Sequence, residues 1–357
     1  MPMRIIGFPG RYVQGPGALA SLPALLHELG ALRPVLVSDD IVQTAVGPRL
    51  PAMLQRLRFS GECTRATVAD LAQQASALKA DTVIALGGGK TIDTAKGVAH
   101  ALGSRLVIVP SVASNDSPTS RLIVLYDDAH RLIAVDYLQR NPDLVLVDSE
   151  VIVQAPLRFF RAGIGDAVSK RYEAGQCAKS GGRNFFGGKP PDMALLMAER
   201  CHVALEQHGL PALAAVARQE ATADVEAVIE ATVLLSGLAF ESGGLSLAHA
   251  LLRGLTAMPA LAPALHGEMV AYGSLVQLCL EARSDEERCA HAAWLVLLGL
   301  PVTAAQLGAA LSPQEQRQVA ELTMNAPYIG HFERALTAGD ISHAMVAAER
   351  FGQAALG

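Results

Sequence analysis

The run Gly87-Gly88-Gly89-Lys90-Thr91-Ile92-Asp93-Thr94-Ala95-Lys96 constrains this chain more than any other segment, because an apolar strand leads into it and an amphipathic helix leads out. Asp81 to Leu86 is short, β-rich and almost continuously apolar, the pattern of a strand buried on both faces of a parallel sheet. Three glycines without Cβ atoms then permit a tight turn and expose successive amide N–H groups. A helix starting near Lys90 points its positive end at the same place. A ligand held there carries phosphate, as a diphosphate does. Two better-known phosphate loops are excluded by the letters: a Walker A loop needs glycine where Ile84 stands, and G-x-G-x-x-G needs its last glycine where Ile92 stands. The alternative is a glycine-punctuated turn that binds nothing.

At 357 residues the chain is too long for one comfortable core and suits two domains. Its 29 Lys and Arg against 34 Asp and Glu leave a net charge of −5, with no long basic run, which gives nucleic acid or a membrane surface no electrostatic hold. The partner this predicts is a small-molecule substrate. No apolar stretch reaches the roughly 18 residues that span a bilayer. The N-terminus breaks into a turn at Gly7-Phe8-Pro9-Gly10-Arg11, too early for the apolar core of a signal peptide, so the expectation is a cytoplasmic protein. Cys63, Cys177, Cys201, Cys279 and Cys289 are odd in number, scattered and without C-x-x-C spacing, which argues against a disulfide framework or a thiolate zinc site.

The first 150 or so residues alternate between strand-like and helix-like segments, as in a parallel sheet with helices on its faces. Met3–Ile6 reads as a short opening strand, and Pro34–Asp39 as a clearer one with an acidic residue at its carboxyl end. There Asp39 is placed either to accept ribose hydroxyls or to cap the helix that starts at Ile41, and one side chain can do both. Further strands read at Leu106–Val109, Leu122–Tyr126 and Leu144–Val147. From about Ala155 the β-rich runs give way to an alanine- and leucine-rich helical pattern, interrupted at Gly181-Gly182, Gly187-Gly188, Gly243-Gly244 and Pro259 to Pro263. The expected organisation is an α/β domain over 1–155 and an all-α domain over 156–357.

The helical half holds candidate metal donors: Asp166 after Gly163-Ile164-Gly165, His249 in Leu247-Ala248-His249-Ala250, and His266 before Gly267-Glu268. Two imidazoles and one carboxylate leave coordination positions open, which suits a Lewis-acid Zn²⁺ or a non-haem Fe²⁺ that also holds substrate. No local spacing ties the three together, and with ten histidines in the chain the residues alone do not single out two.

The chain resembles the iron-containing alcohol dehydrogenase superfamily, and within it the zinc-dependent glycerol dehydrogenases. The likeness runs through Pro9-Gly10-Arg11-Tyr12-Val13-Gln14-Gly15, the Gly87–Lys96 run, Val112-Ala113-Ser114-Asn115-Asp116-Ser117-Pro118, Ala162-Gly163-Ile164-Gly165-Asp166-Ala167, Phe240-Glu241-Ser242-Gly243-Gly244-Leu245 and His266-Gly267-Glu268, and covers almost the whole chain. The resemblance implies an N-terminal dinucleotide-binding domain and an all-α C-terminal domain, the architecture shared with dehydroquinate synthase. It implies Asp166, His249 and His266 as metal ligands, Asp116 as a catalytic carboxylate that contacts the polyol, and Asp39 as the acid that holds the adenosine ribose and favours NAD over NADP. Gly87, Gly88, Gly89, Lys90, Asp93, Ser111, Ser114, Ser120, Leu122 and Tyr126 fall at positions that bind the dinucleotide, with Ser111 where threonine is usual. A homo-oligomer, often an octamer, is implied too. The implied chemistry is hydride transfer to NAD from the carbon that bears a hydroxyl acidified by the metal, with Asp116 orienting a neighbouring hydroxyl or carrying the proton to solvent. Without the resemblance, Asp116 reads as a turn or cap residue beside Ser117-Pro118.

The pattern breaks around the substrate. Leu252 and Arg253 stand where that branch has histidine and asparagine, Leu261–Leu265 replaces its aromatic and histidine residues, and Arg121 replaces a small residue. Arg121 or Arg253 either binds an anionic substrate bidentately or makes a surface ion pair. The leading function is NAD-linked oxidation of glycerol or a related vicinal diol to the hydroxyketone. Alternatives are a dehydrogenase for a hydroxy acid or polyol phosphate, a sugar-phosphate cyclase-type lyase of the same fold, and a catalytically silent binding protein.

Overall fold

The computed structural model describes residues 3–51, 54–127 and 132–357. In chain order its strands are β1 (Tyr12–Gly15), β2 (Pro34–Ser38), β3 (Gln55–Arg58), β4 (Thr82–Gly87), β5 (Arg105–Pro110), β6 (Leu122–Tyr126), β7 (Leu132–Tyr137) and β8 (Leu144–Asp148). Among the described residues, six of them form one parallel sheet in the order β1-β8-β5-β4-β2-β3. Every residue of β4 and β8 is buried, because helices cover the sheet, and this is why those strands read as unbroken apolar runs. Leu36, Ile84, Leu86, Val107, Val109, Leu144 and Leu146 form one core with Leu22, Leu25 and Leu26 of α1 (Leu22–Glu28).

The helices α2 (Asp40–Val46), α3 (Arg65–Ala77) and α4 (Gly89–Leu102) follow β2, β3 and β4. The glycine run is the turn from β4 into α4, with Gly88 as N-cap and Gly103 closing the helix in the left-handed conformation. Its three glycines all have negative φ, so left-handed backbone is not their reason. Space is: a Cβ on Gly87 would lie 2.6 Å from the Thr91 Cβ, and one on Gly89 would lie 2.9 Å from Asn115 Nδ2.

Two strand expectations change, and a strand without a sequence signal joins the sheet. Met3–Ile6 is no strand and makes a single bridge, Arg4 to Lys189; the sheet opens instead with β1, inside the Pro9–Gly15 motif. Leu122–Tyr126 is a strand but lies outside the parallel sheet, paired antiparallel with β7. Strand β3, with the sequence QRLR, has no apolar run to announce it, because an edge strand buries little.

After α5 (Ser149–Ile152) no strand occurs among the described residues. The helices are α6 (Leu157–Ala167), α7 (Lys170–Lys179), α8 (Asp192–Val216), α9 (Ala223–Ile229), α10 (Ser236–Gly243), α11 (Leu247–Ala250), α12 (Leu252–Leu255) and α13 (His266–Leu280), with more to the C-terminus. The helical run is interrupted at Gly181 and Gly187, both at positive φ, at Gly244 after α10, and at the 3₁₀ turn Pro259–Leu261.

Two compact units result, and neither is one continuous stretch. The α/β unit comprises Phe8–Phe160 and Ala215–Leu234; the helical unit comprises the N-terminal residues to Gly7, Arg161–Ala214 and Leu235–Gly357. This differs from a single division at 155/156, since α9 and the π-helical turn after it return to the α/β unit. Gln14 Nε2 donates to the Glu226 carbonyl at 2.8 Å, and Thr119 Oγ1 donates to the Val233 carbonyl at 3.1 Å. No helix among the described residues is long and apolar enough to cross a membrane.

The loop between β5 and β6 is tied down by one cation. Lys96 of α4 is fully buried and its Nζ donates to the carbonyls of Ser117 and Leu122, each at 2.8 Å, and to Ser120 Oγ at 3.2 Å, beside Asp93 Oδ1 at 3.4 Å. Asp93 Oδ2 accepts from the Val124 amide at 3.2 Å. We predict that Lys96→Met, which strips these acceptors of their donor, lowers unfolding stability by about 3 kcal/mol, measured by urea denaturation of the metal-saturated protein.

Candidate metal centre and nucleotide edge

Asp166, His249 and His266 are brought together by glycines. A Cβ on Gly267 would lie 1.7 Å from the Ala162 carbonyl oxygen, and one on Gly165 would lie 2.4 Å from the Gly267 carbonyl oxygen. The start of α13 therefore packs backbone against backbone on α6, which sets His266 beside Asp166. Further along α13, a Cβ on Gly273 would meet the Ala248 carbonyl at 2.6 Å, so α11 with His249 docks equally close. Glu268 Oε2 accepts from the Leu265 amide at 2.7 Å and fixes the turn on which His266 stands.

One donor atom from each of the three residues lies within 4.8 Å of the others. His249 Nε2 is 3.2 Å and His266 Nε2 is 3.7 Å from Asp166 Oδ1, on either side of the roughly 3.4 Å edge of a tetrahedron with ~2.1 Å arms. Asp166 Oδ2 is buried without a hydrogen-bond partner. Two imidazole nitrogens and one carboxylate with an unsatisfied oxygen suit a divalent cation such as Zn²⁺ or Fe²⁺. Asp166 and His249 are buried while the His266 side chain is 48% exposed, so the cluster is reached from the His266 side.

Two residues beside these donors were not singled out from sequence. Glu173 of α7 is fully buried and its Oε2 accepts from His249 Nδ1 at 2.6 Å, which turns Nε2 toward Asp166. Its Oε1 accepts from the amides of Ser246 and His249 at 2.9 and 3.0 Å, capping the start of α11. Lys170, also buried, donates to Asp166 Oδ1 at 2.8 Å and lies 3.2 Å from His249 Nε2. The signal was present as spacing, since positions 166, 170 and 173 fall on one side of a helical path, but it has meaning only once Asp166 is known to matter.

Charge in the cluster follows from these contacts. Burial opposes ionisation of Asp166, but Lys170 and the two histidines hold its carboxyl well below the usual range. Burial likewise pulls the His249 imidazole down, and the Glu173 and Asp166 carboxylates overcome it, against Lys170, to raise it to about 9.

The nucleotide-edge residues collect in the other unit. Parallel pairing of β2 with β4 and of β4 with β5 sets the carboxyl ends of the three strands side by side, and with them Asp39, Gly87 to Lys90, Ser111 and Ser114. Ser111 donates its amide to the Gly87 carbonyl at 3.0 Å. Asp39 Oδ1 accepts from the Val42 amide at 2.8 Å and caps α2, leaving its second oxygen for other work. Lys90 Nζ pairs with Glu62 at 2.6 Å and lies over the Tyr126 ring, 5.2 Å from its centroid; burial pushes the Tyr126 hydroxyl well up. Leu122 is half-buried, while Ser120 and Asp93 turn inward to Lys96. Asp116 is buried ahead of the 3₁₀ turn Ser117–Thr119. Arg121 places its guanidinium over Tyr137, 5.4 Å from the ring centroid, and Arg253 is exposed on α12.

Comparison with known proteins fits this geometry. The sequence profile of iron-containing alcohol dehydrogenases matches residues 9–149. Glycerol dehydrogenase from Escherichia coli O6:H1 is 38% identical over 98% of each chain. The chain belongs to the iron-containing alcohol dehydrogenase family. Glycolaldehyde reductase from Halobacterium salinarum is 40% identical over 84% of each chain. The crystal structure of a probable glycerol dehydrogenase from Sinorhizobium meliloti superposes with a TM-score of 0.93 at 35% identity, covering 99% of this chain and 100% of that one. For this family member we predict that Glu173→Gln weakens Zn²⁺ binding by about 10- to 100-fold, read by competition with a chromophoric chelator. Because His249 titrates near 9 before metal binds, Zn²⁺ displaces a proton at neutral pH, and affinity should rise about tenfold per pH unit from 6 to 9; a flat profile would contradict this.

Proposed function

We propose that this protein is a NAD-linked, metal-dependent polyol dehydrogenase that interconverts glycerol, or a related vicinal diol, with its hydroxyketone. The observation that carries the reading is the 38% identity to E. coli glycerol dehydrogenase across 98% of both chains. The two-imidazole, one-carboxylate cluster supports it. Relatives named for glycerol and for glycolaldehyde both handle short vicinal oxygens, and this favours a diol over the anionic or lyase alternatives.

Asp166, His249 and His266 would hold Zn²⁺ or Fe²⁺, which when bound supplies Lewis acidity that lowers the pKa of a hydroxyl. Glu173 keeps the His249 lone pair directed at that position, and Lys170 adds a fixed positive charge that favours an oxyanion over a neutral alcohol there. Asp116 is the residue we assign to a neighbouring substrate hydroxyl, as orienter and as acceptor of the released proton. At the nucleotide edge, the amides of Gly88 and Gly89 at the start of α4 are suited to a diphosphate, and the uncommitted oxygen of Asp39 to ribose hydroxyls, which disfavours a 2′-phosphate. Lys90, Ser111, Ser114, Leu122 and Tyr126 complete that surface, while Asp93 and Ser120 support it through Lys96. Neither Arg121 nor Arg253 is assigned to substrate. We also propose that the protein works in the cytoplasm as a homo-oligomer, which light scattering of the purified protein would test.

Protein stripped with chelator should form no NADH from glycerol and NAD at mildly alkaline pH, and Zn²⁺ should restore it. Restored binding of NAD without net NADH would favour the lyase reading. Asp116→Asn is expected to lower kcat/KM by about 100-fold while leaving the NAD dissociation constant within twofold.

A further inference from the structure

We infer that Asp40 is a determinant of cofactor choice: it fills, from within the chain, an anion site built by Arg56 and Arg58, and so denies that site to the 2′-phosphate of NADP. The inference rests on the proposed nucleotide edge at Asp39 and the glycine turn.

Strand β3 pairs with β2 so that Arg56 stands beside Leu36 and Arg58 beside Ser38. Two residues apart on one strand, both side chains leave the same face. They converge on the Asp40 carboxylate, one residue beyond Asp39. Arg58 grips it as a fork, with Nε 3.1 Å from Oδ1 and 2.9 Å from Oδ2, and Nη2 2.6 Å from Oδ2. Arg56 adds Nη2 at 2.6 Å from Oδ1 and is itself anchored by the Ser38 carbonyl, which accepts from Nε at 3.3 Å and from Nη2 at 3.1 Å. Planar donors in this arrangement match phosphate as well as they match carboxylate.

The site lies in the open. The side chains of Asp40 and Arg58 are 53% and 69% exposed, and Arg56 is 25% exposed and held by backbone. A ligand reaches the pair without repacking the core, and exposed ion pairs of this kind are weakly held. Asp40 is kept ionised by the two guanidinium groups, its pKa lowered to about 2, so its charge is present throughout the working range. Asp39 and Asp40 together balance Arg56 and Arg58, and the corner where an adenosine ribose would end is neutral overall. Neutralising Asp40 leaves two converging cations against the single carboxylate of Asp39.

The test is isothermal titration of full-length, metal-loaded protein with NAD and with NADP. In Asp40→Asn the NADP dissociation constant should fall at least tenfold and that of NAD should change less than twofold. The gain should disappear in Asp40→Asn/Arg56→Gln/Arg58→Gln and shrink in 0.5 M salt. Asp40→Ser should behave as Asp40→Asn does, so that one poorly folding variant does not decide the matter. Unchanged NADP binding in both single variants, or a gain that survives loss of both arginines, would overturn the inference while leaving the nucleotide edge standing. Failure of the unmodified protein to bind NAD would overturn the edge itself, and the inference with it.

Discussion

The backbone of Gly267 lies against the backbone of Ala162 and Asp166 so closely that a single methyl group has no place between them. Everything at the candidate metal centre depends on that approach. Helix α13 can present His266 to Asp166 only if both chains are bare at the crossing, and Gly165 and Gly267 make them so. The same helix accepts α11 at Gly273, and His249 arrives beside an aspartate 83 residues earlier in the chain. Glycine costs conformational entropy in a helix, and here that cost is offset by an approach distance no other residue allows.

Around the donors, the surrounding side chains are as fully committed as the donors themselves. One buried carboxylate, Glu173, caps α11 and fixes the His249 ring, so the short helix and the ligand it carries are positioned by the same group. Lys170 sets a positive charge against Asp166 in a place where burial alone would favour a protonated acid. The α/β unit has a counterpart in Lys96, whose ammonium replaces a run of secondary structure by donating to carbonyls on either side of the loop from Ser117 to Leu122. In both units a buried cation draws together groups from separate segments, backbone carbonyls around Lys96 and the donor side chains around Lys170.

Much of this was legible beforehand, and the reasons differ by residue. The β4-turn-α4 unit was readable because its signal is local: an apolar run, three glycines and a helical repeat lie within adjacent residues. Asp166, His249 and His266 were chemically apt, yet their selection came from resemblance, since nothing local relates residues so far apart. Strand β3 is not legible in the sequence, because Gln55, Arg56 and Arg58 carry no apolar periodicity, and those arginines stand at the corner proposed to govern cofactor choice. Met3–Ile6 was β-rich but found no strand partner in the sheet, and the return of α9 to the α/β unit was invisible because a helical pattern does not say which neighbour it packs against.

What the sequence determined by itself was therefore what short-range physics can write: which segments are strands buried on both faces, where glycine breaks or tightens the chain, and which side chains can ligate, cap or carry charge. Tertiary structure alone decided which of those side chains meet. Glu173 and His249 are 76 residues apart, and Asp40 receives its two arginines from the neighbouring strand. Such pairings follow from sheet register and from helix crossings at glycine, and these are set by the packing of the whole unit, a property that no local window of sequence contains.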